Sequence, residues 1–108
     1  MKQITLNYEG KTYTLEFTRK TVEAMERSGF NVNNIRDMPM VTLPTLFRGA
    51  FMANHKFLKQ TVIDSIYDKI SDKSELISKL AELYNEPLEA LLAEPEADEG
   101  NATWTASW

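Results

Sequence analysis

The chain contains no cysteine and a single histidine, His55. Disulfides, thiolate metal sites and a cysteine nucleophile are therefore excluded. The composition fits a reducing compartment. A metal site would have to rest on carboxylates or borrow a ligand from elsewhere, and no metal and no cofactor is expected. Glycine is scarce, and Gly10, Gly29, Gly49 and Gly100 are each isolated, so there is no glycine-rich phosphate loop. No hydrophobic run approaches the roughly 20 residues of a membrane span. The opening "MKQITLNYEG" lacks an apolar signal core. These absences lead to a cytoplasmic protein without a membrane partner. In that setting the sequon Asn101-Ala102-Thr103 carries no glycan.

An excess of base is missing too. Residues 1–93 hold all 12 Lys and Arg and 12 of the 16 acids, so that part is neutral. Glu94, Glu96, Asp98 and Glu99 follow with no base beside them. A neutral body offers no basic stripe to a phosphate backbone. "SELISKLAELYNEPLEALL" has the outline of a helix-turn-helix, but its second helix, "PLEALLAE", presents two acids and no base where a recognition helix carries Arg, Lys, Asn or Gln. No nucleic-acid partner is expected.

What is present reads as one domain over 1–93 followed by a flexible acidic tail over 94–108. In "QITLNYEGKTYTLEF", Ile4, Leu6 and Tyr8 share one face, as do Tyr13, Leu15 and Phe17. That is the period of half-buried strands, and Glu9-Gly10 makes a two-residue hairpin loop. The period then changes. "TRKTVEAMERSGF" predicts a helix over about 19–28, capped by Thr18 or Thr21 and stopped by Ser28-Gly29. "NVNNIRDMPM" reads as a loop anchored by Val32 and Ile35. Pro44 suits the first turn of a second helix, whose apolar stripe is Leu46, Phe47, Ala50 and Phe51. Gly49 within it would admit a close neighbouring backbone. Thr61 and Asp64 resemble a capping box opening a third helix. Ser71 and Asp72 open a fourth, carrying Leu76, Ile77, Leu80, Leu83 and Tyr84. Asn85 and Pro87 are expected to break it and start a fifth, "PLEALLAE". The predicted fold is α+β: an N-terminal β-hairpin packed against about five short α-helices, with a disordered C-terminal tail.

Catalysis finds little footing. His55 in "MANHKF" reads as a packing or capping residue. Asp64, Asp68 and Asp72, spaced by four, read as a solvated face plus a cap, with Lys69 and Lys73 as nearby partners. A non-enzymatic binding protein is expected. Met38, Met40 and Met52 suggest an adaptable patch, although core filler is the simpler reading of them. Both tryptophans of the chain, Trp104 and Trp108, lie in the tail. This stretch has no Ile, Leu or Val with which to offset its own ordering entropy. Four residues apart, the two indoles share a face as helix or strand. They read as anchors for a partner, the rival being a tail folded back on its own domain.

"ITLNYEGKTYTLEF", "RKTVEAMERSGF", "LPTLFRGAFMANHK" and "LISKLAELYNEPLEALL" together resemble the tail assembly chaperone family of long non-contractile-tailed bacteriophages and prophages of Gram-positive hosts. The resemblance spans about residues 3–92 and rests on packing and turn signatures. It implies a protein that coats the tape-measure protein, recruits tail-tube subunits in the host cytoplasm, and is absent from the mature virion. Self-association into a homo-oligomer would accompany coating. Leu46, Phe47, Phe51 and Phe57 are then candidate contacts for a helical tape measure, although each also reads as core. Two alternatives stay open: a minor structural or head–tail joining protein retained in the virion, and a small cytoplasmic regulator.

Overall fold

A computed structural model describes residues 2–93 and 104–108. The expected disorder of the tail falls largely on 94–103, outside the described residues. The order of elements is β1 (Ile4–Tyr8), β2 (Lys11–Leu15), α1 (Arg19–Arg27), a 3₁₀ turn (Val32–Ile35), α2 (Pro39–Gly49), α3 (Gln60–Lys69) and α4 (Lys73–Leu92). The fold is α+β, with four helices and one 3₁₀ turn among the described residues.

The strands pair antiparallel with Ile4 opposite Leu15, Leu6 opposite Tyr13 and Tyr8 opposite Lys11. Glu9 and Gly10 both take positive φ, 49° and 78°. This is the double left-handed turn whose twist matches the strands. Alternation works as the sequence predicts: Leu6, Tyr13 and Leu15 are buried, while Thr5 and Asn7 face out. The outer edge of β2 does not meet water alone. Glu16 N donates to Ala50 O (3.1 Å). Thr14 N donates to His55 Nε2 (3.0 Å), and Thr14 O accepts from Asn54 Nδ2 (3.3 Å). The stretch after α2 therefore takes the place of a third strand. On β1 the mirror positions Thr5 and Asn7 face outward, and no such cover is present among the described residues.

α1 begins with a reciprocal cap. Thr21 N donates to Thr18 Oγ1 and Thr18 N donates to Thr21 Oγ1. It ends with Gly29 at φ 98°, Gly29 N donating to Glu26 O and Phe30 N to Met25 O. That pair of bonds is the Schellman arrangement, and it satisfies carbonyls that a helix end leaves free. Val32 and Ile35 pack on the core as expected, through the 3₁₀ turn.

Two proline readings need correction. α2 starts at Pro39, and Pro44 lies inside the helix. Both prolines suit a first turn, and the earlier one takes it. Pro44 leaves Met40 O without its helical donor, at a residue 88% exposed where water can substitute. The helix also stops at Gly49, well short of Phe57. α4 runs unbroken for 20 residues through Pro87, a length of about 30 Å. Leu80 and Tyr84 before the proline and Leu88 after it continue one apolar stripe on the core. That packing offsets a penalty of about 3 kcal/mol for an interior proline. The fourth and fifth expected helices are therefore one, and the helix-turn-helix outline is lost with them.

Other local readings are also overturned. α3 is capped at Lys59 without a side-chain bond, so the Thr61–Asp64 box does not form. Asp72 precedes α4 in the left-handed region and makes no side-chain cap. The core is one cluster centred on Leu15, Leu46, Phe47, Phe51, Ile66 and Leu80, each almost fully buried. No helix among the described residues is long and apolar enough to cross a membrane.

Candidate protein-binding surface

α2 separates two environments. Its inner side carries Leu46 and Phe47 into the core. Phe47 meets Phe51 and Tyr67 edge to face at 5.1 and 5.0 Å. Its outer side, with the segments flanking it, leaves Met38, Met40, Val41 and Met52 in solvent, between 40% and 88% exposed. Met38 and Val41 line one cavity on this side and Met52 lines another, and exposed apolar side chains of this size carry a hydration cost that a partner would remove.

Beside this band lies a cavity of about 310 Å³ between α1, α2 and the segment leading to α3. Met25, Met52, Leu58 and Ile63 give it apolar walls, and Arg48, His55 and Lys56 give it its polar groups. Gly49 makes the floor possible. A Cβ on this residue would sit 2.5 Å from Met25 Sδ and 2.6 Å from Met25 Cε. The close neighbour is thus the Met25 side chain and not a second backbone. A smaller cavity of about 190 Å³ is lined by Met38 and Val41. Ser28 and Thr45 line both, so the two adjoin, and the larger is the apolar groove between α1 and α2.

The polar groups around the groove are held in place. Arg48 grips Asp64 with two parallel bonds, Nε to Oδ1 and a terminal nitrogen to Oδ2, both 2.9 Å. This geometry fixes a planar guanidinium against a carboxylate, and it ties α2 to α3. His55 accepts the Thr14 amide through Nε2, so its proton sits on Nδ1. Its ring packs edge to face on Tyr13 at 5.2 Å. Lys56 places its ammonium 5.1 Å from the centre of the Phe57 ring. Glu16, buried, accepts from Asn54 (2.7 Å) and Gln3 (3.3 Å). Burial raises the pKa of the Tyr84 phenol, with Glu26 adding to the shift.

The residues singled out by sequence fall in three places. Leu46, Phe47 and Phe51 are core, each at most 1% exposed, and a partner cannot touch them while the fold persists. Phe57 is 90% exposed. Trp104 and Trp108 are 82% and 102% exposed, and neither packs on the domain. Met38, Met40 and Met52 are surface and not filler, which favours the patch reading of them. Val41 was the missed member; only the helix start at Pro39 turns it outward. His55 serves packing and a backbone bond. Of the aspartate row, Asp64 faces Arg48. Lys73 Nζ donates to the backbone carbonyls of Ile70 (2.9 Å) and Asp68 (3.4 Å) and Lys69 lies over the Tyr8 ring, so among the described residues neither lysine pairs with a carboxylate of that row. Among the described residues no three acids or histidines converge in a way that could hold a metal ion.

A family model described as a domain of unknown function, DUF5055, matches residues 1–108. Neither curated proteins nor solved structures yield a match. The chain belongs to the DUF5055 family.

Proposed function

We propose that this member of the DUF5055 family is a non-enzymatic tail assembly chaperone of a long-tailed bacteriophage or prophage. It binds the tape-measure protein and recruits tail-tube subunits in the host cytoplasm, and it leaves before the virion is complete. The observation that carries the protein-binding part is the apolar band of Met38, Met40, Val41 and Met52 beside the groove along α1 and α2. Flexible thioethers on a fixed helix adapt to a partner's side chains, as a surface that coats a long, varied helical chain requires. The sequence resemblance over about residues 3–92 supplies the phage part.

The proposed contacts are the α2 band and Phe57 on the body, and Trp104 and Trp108 on the tail. Leu46, Phe47 and Phe51 support the band from beneath. The test is co-expression of the neighbouring tape-measure protein with residues 1–108, with residues 1–93, and with a Met40→Glu form of the full chain. Full-length protein is expected to keep the tape measure soluble through centrifugation and size-exclusion chromatography, and Met40→Glu to lose that effect. Failure of the full chain to bind or solubilise it would sink the reading. Mass spectrometry of purified particles checks departure: finding the chain there would make it a structural component of the virion.

A further inference from the structure

The charges of this chain are segregated. Between Asp37 and Asp64 there is no acid, and the bases Arg48, Lys56 and Lys59 stand in that interval. From Leu80 to Trp108 there is no Lys or Arg, and seven acids. The acid-free interval is the stretch that forms α2 and the outer wall of the 310 Å³ cavity. Arg48 is already matched by Asp64, whereas Lys56 and Lys59 make no ion pair among the described residues. The base-free interval ends in two exposed indoles. The apolar groove thus has one such cation, Lys56, in its lining, and Lys59 follows three residues on. The C-terminal segment has aromatic anchors preceded in sequence by four acids.

We propose that the groove between α1 and α2 receives the C-terminal segment of a second copy of the chain. One indole of Trp104 and Trp108 enters the cavity against Met25, Met52 and Leu58, and the other lies along the rim. A volume of about 310 Å³ is at the lower end of pockets that enclose an organic group, about 300–1,000 Å³, which suits one bicyclic ring and not two. Methionine sulfur against an aromatic edge is favourable. Glu94, Glu96, Asp98 and Glu99 precede the anchors in sequence, and opposite charge draws them toward Lys56 and Lys59. A second copy is the occupant because both indoles are exposed on their own copy and the acids that precede them carry the charge opposite to that of Lys56 and Lys59. Groove and segment are different surfaces, so the contact is head to tail. It leaves a free groove at one end and a free segment at the other, and it builds open strings of copies and not closed dimers. This arrangement does not rest on the tape-measure reading; failure of that reading would leave it standing.

The test uses the full chain, whose only tryptophans are the two in the proposed segment. Their fluorescence reports on the segment alone. Raising protein concentration is expected to shift the emission to shorter wavelength, in step with growth of species beyond monomer in sedimentation velocity. Salt should weaken both effects. Met52→Glu, at a surface position, should weaken association at least about tenfold, as for the loss of a central interface contact, with far-UV circular dichroism unchanged. Leu91→Glu, on the separate groove between α1 and α4, should change neither reading. Emission that remains that of water-exposed indole at every concentration overturns the proposal. So does a shift independent of concentration, which would place the segment on its own domain, or association that Met52→Glu leaves intact.

Discussion

Replacing His55 by alanine tests whether the stretch after α2 truly completes the sheet. Two losses follow. Thr14 N–H, half-buried, loses its acceptor at 3.0 Å. An unsatisfied buried amide costs about 1–3 kcal/mol, and partial access to water puts this one near about 1. The ring also leaves Tyr13 and Phe51, whose centroids lie 5.2 and 6.2 Å away. Aromatic pairs of this kind are worth about 0.5–1.5 kcal/mol beyond their buried area. The expected total is about 2–3 kcal/mol, a large share of the 5–15 kcal/mol typical of a domain. His55→Phe keeps the ring and removes only the acceptor, so its expected cost is about 1 kcal/mol. Urea titration of the three proteins measures this as shifts of midpoint at constant slope. Amide exchange locates it, since Thr14 should be protected in the parent and not in either variant. A loss below about 0.5 kcal/mol for His55→Ala, or a fast-exchanging Thr14 amide in the parent, would refute the reasoning.

Other outcomes follow from single residues. Gly49→Ala puts a methyl 2.5 Å from Met25 Sδ, and because this flexible side chain can move aside while alanine gains about 1 kcal/mol in helix propensity, the net change should stay within about 1 kcal/mol; pairing it with Met25→Ala in a double-mutant cycle should give a coupling of at least about 0.5 kcal/mol, and strict additivity would contradict the contact. Pro87→Ala restores a donor to Leu83 O within α4 and should raise stability by about 1–3 kcal/mol in thermal melts, whereas a loss would mean that the helix is held by the proline ring's own packing. Burial holds the Tyr84 phenol above its usual pKa of 10.0. The unfolded chain therefore releases this proton first, and the contribution is complete below pH 10 and declines as pH rises through the folded value. Tyr84→Phe should flatten that alkaline decline in urea titrations, and an unchanged slope would show that the phenol holds its proton equally in the folded and unfolded chains.

The parts of the fold legible in sequence were those set by neighbours in the chain. Strand period and Glu9-Gly10 specify the hairpin and its register. Thr18, Ser28 and Gly29 specify both ends of α1. Where a choice depended on distant packing, local rules misled. Pro39 and Pro44 carry the same local signal, and only the burial of Leu46 and Phe47 selects the earlier start. Pro87 is a breaker by every local rule, and it is overruled by Leu80, Tyr84 and Leu88 binding the core on both sides of it. Asp64 looks like a cap residue until α2 brings Arg48 to it. The surface was half legible for the same reason. Met38, Met40 and Met52 stood out by chemistry. Phe47 and Phe51 could not be told from Phe57 without knowing that α2 ends at Gly49, which turns the first two inward and leaves the third outside.

The cover over the β2 edge also fixes an order of events. The hairpin closes through a two-residue loop and can form within microseconds. A lone pair of strands is marginal in water, however. Its amide partner His55 is 41 residues downstream of Thr14, and Glu86, which accepts the Lys2 amide, is 84 residues away. During synthesis, at about 5–20 residues per second, the hairpin therefore leaves the ribosome seconds before the residues that complete it. For that interval both of its edges are open to any extended chain nearby. Among the described residues, nothing covers the Thr5 and Asn7 edge afterwards.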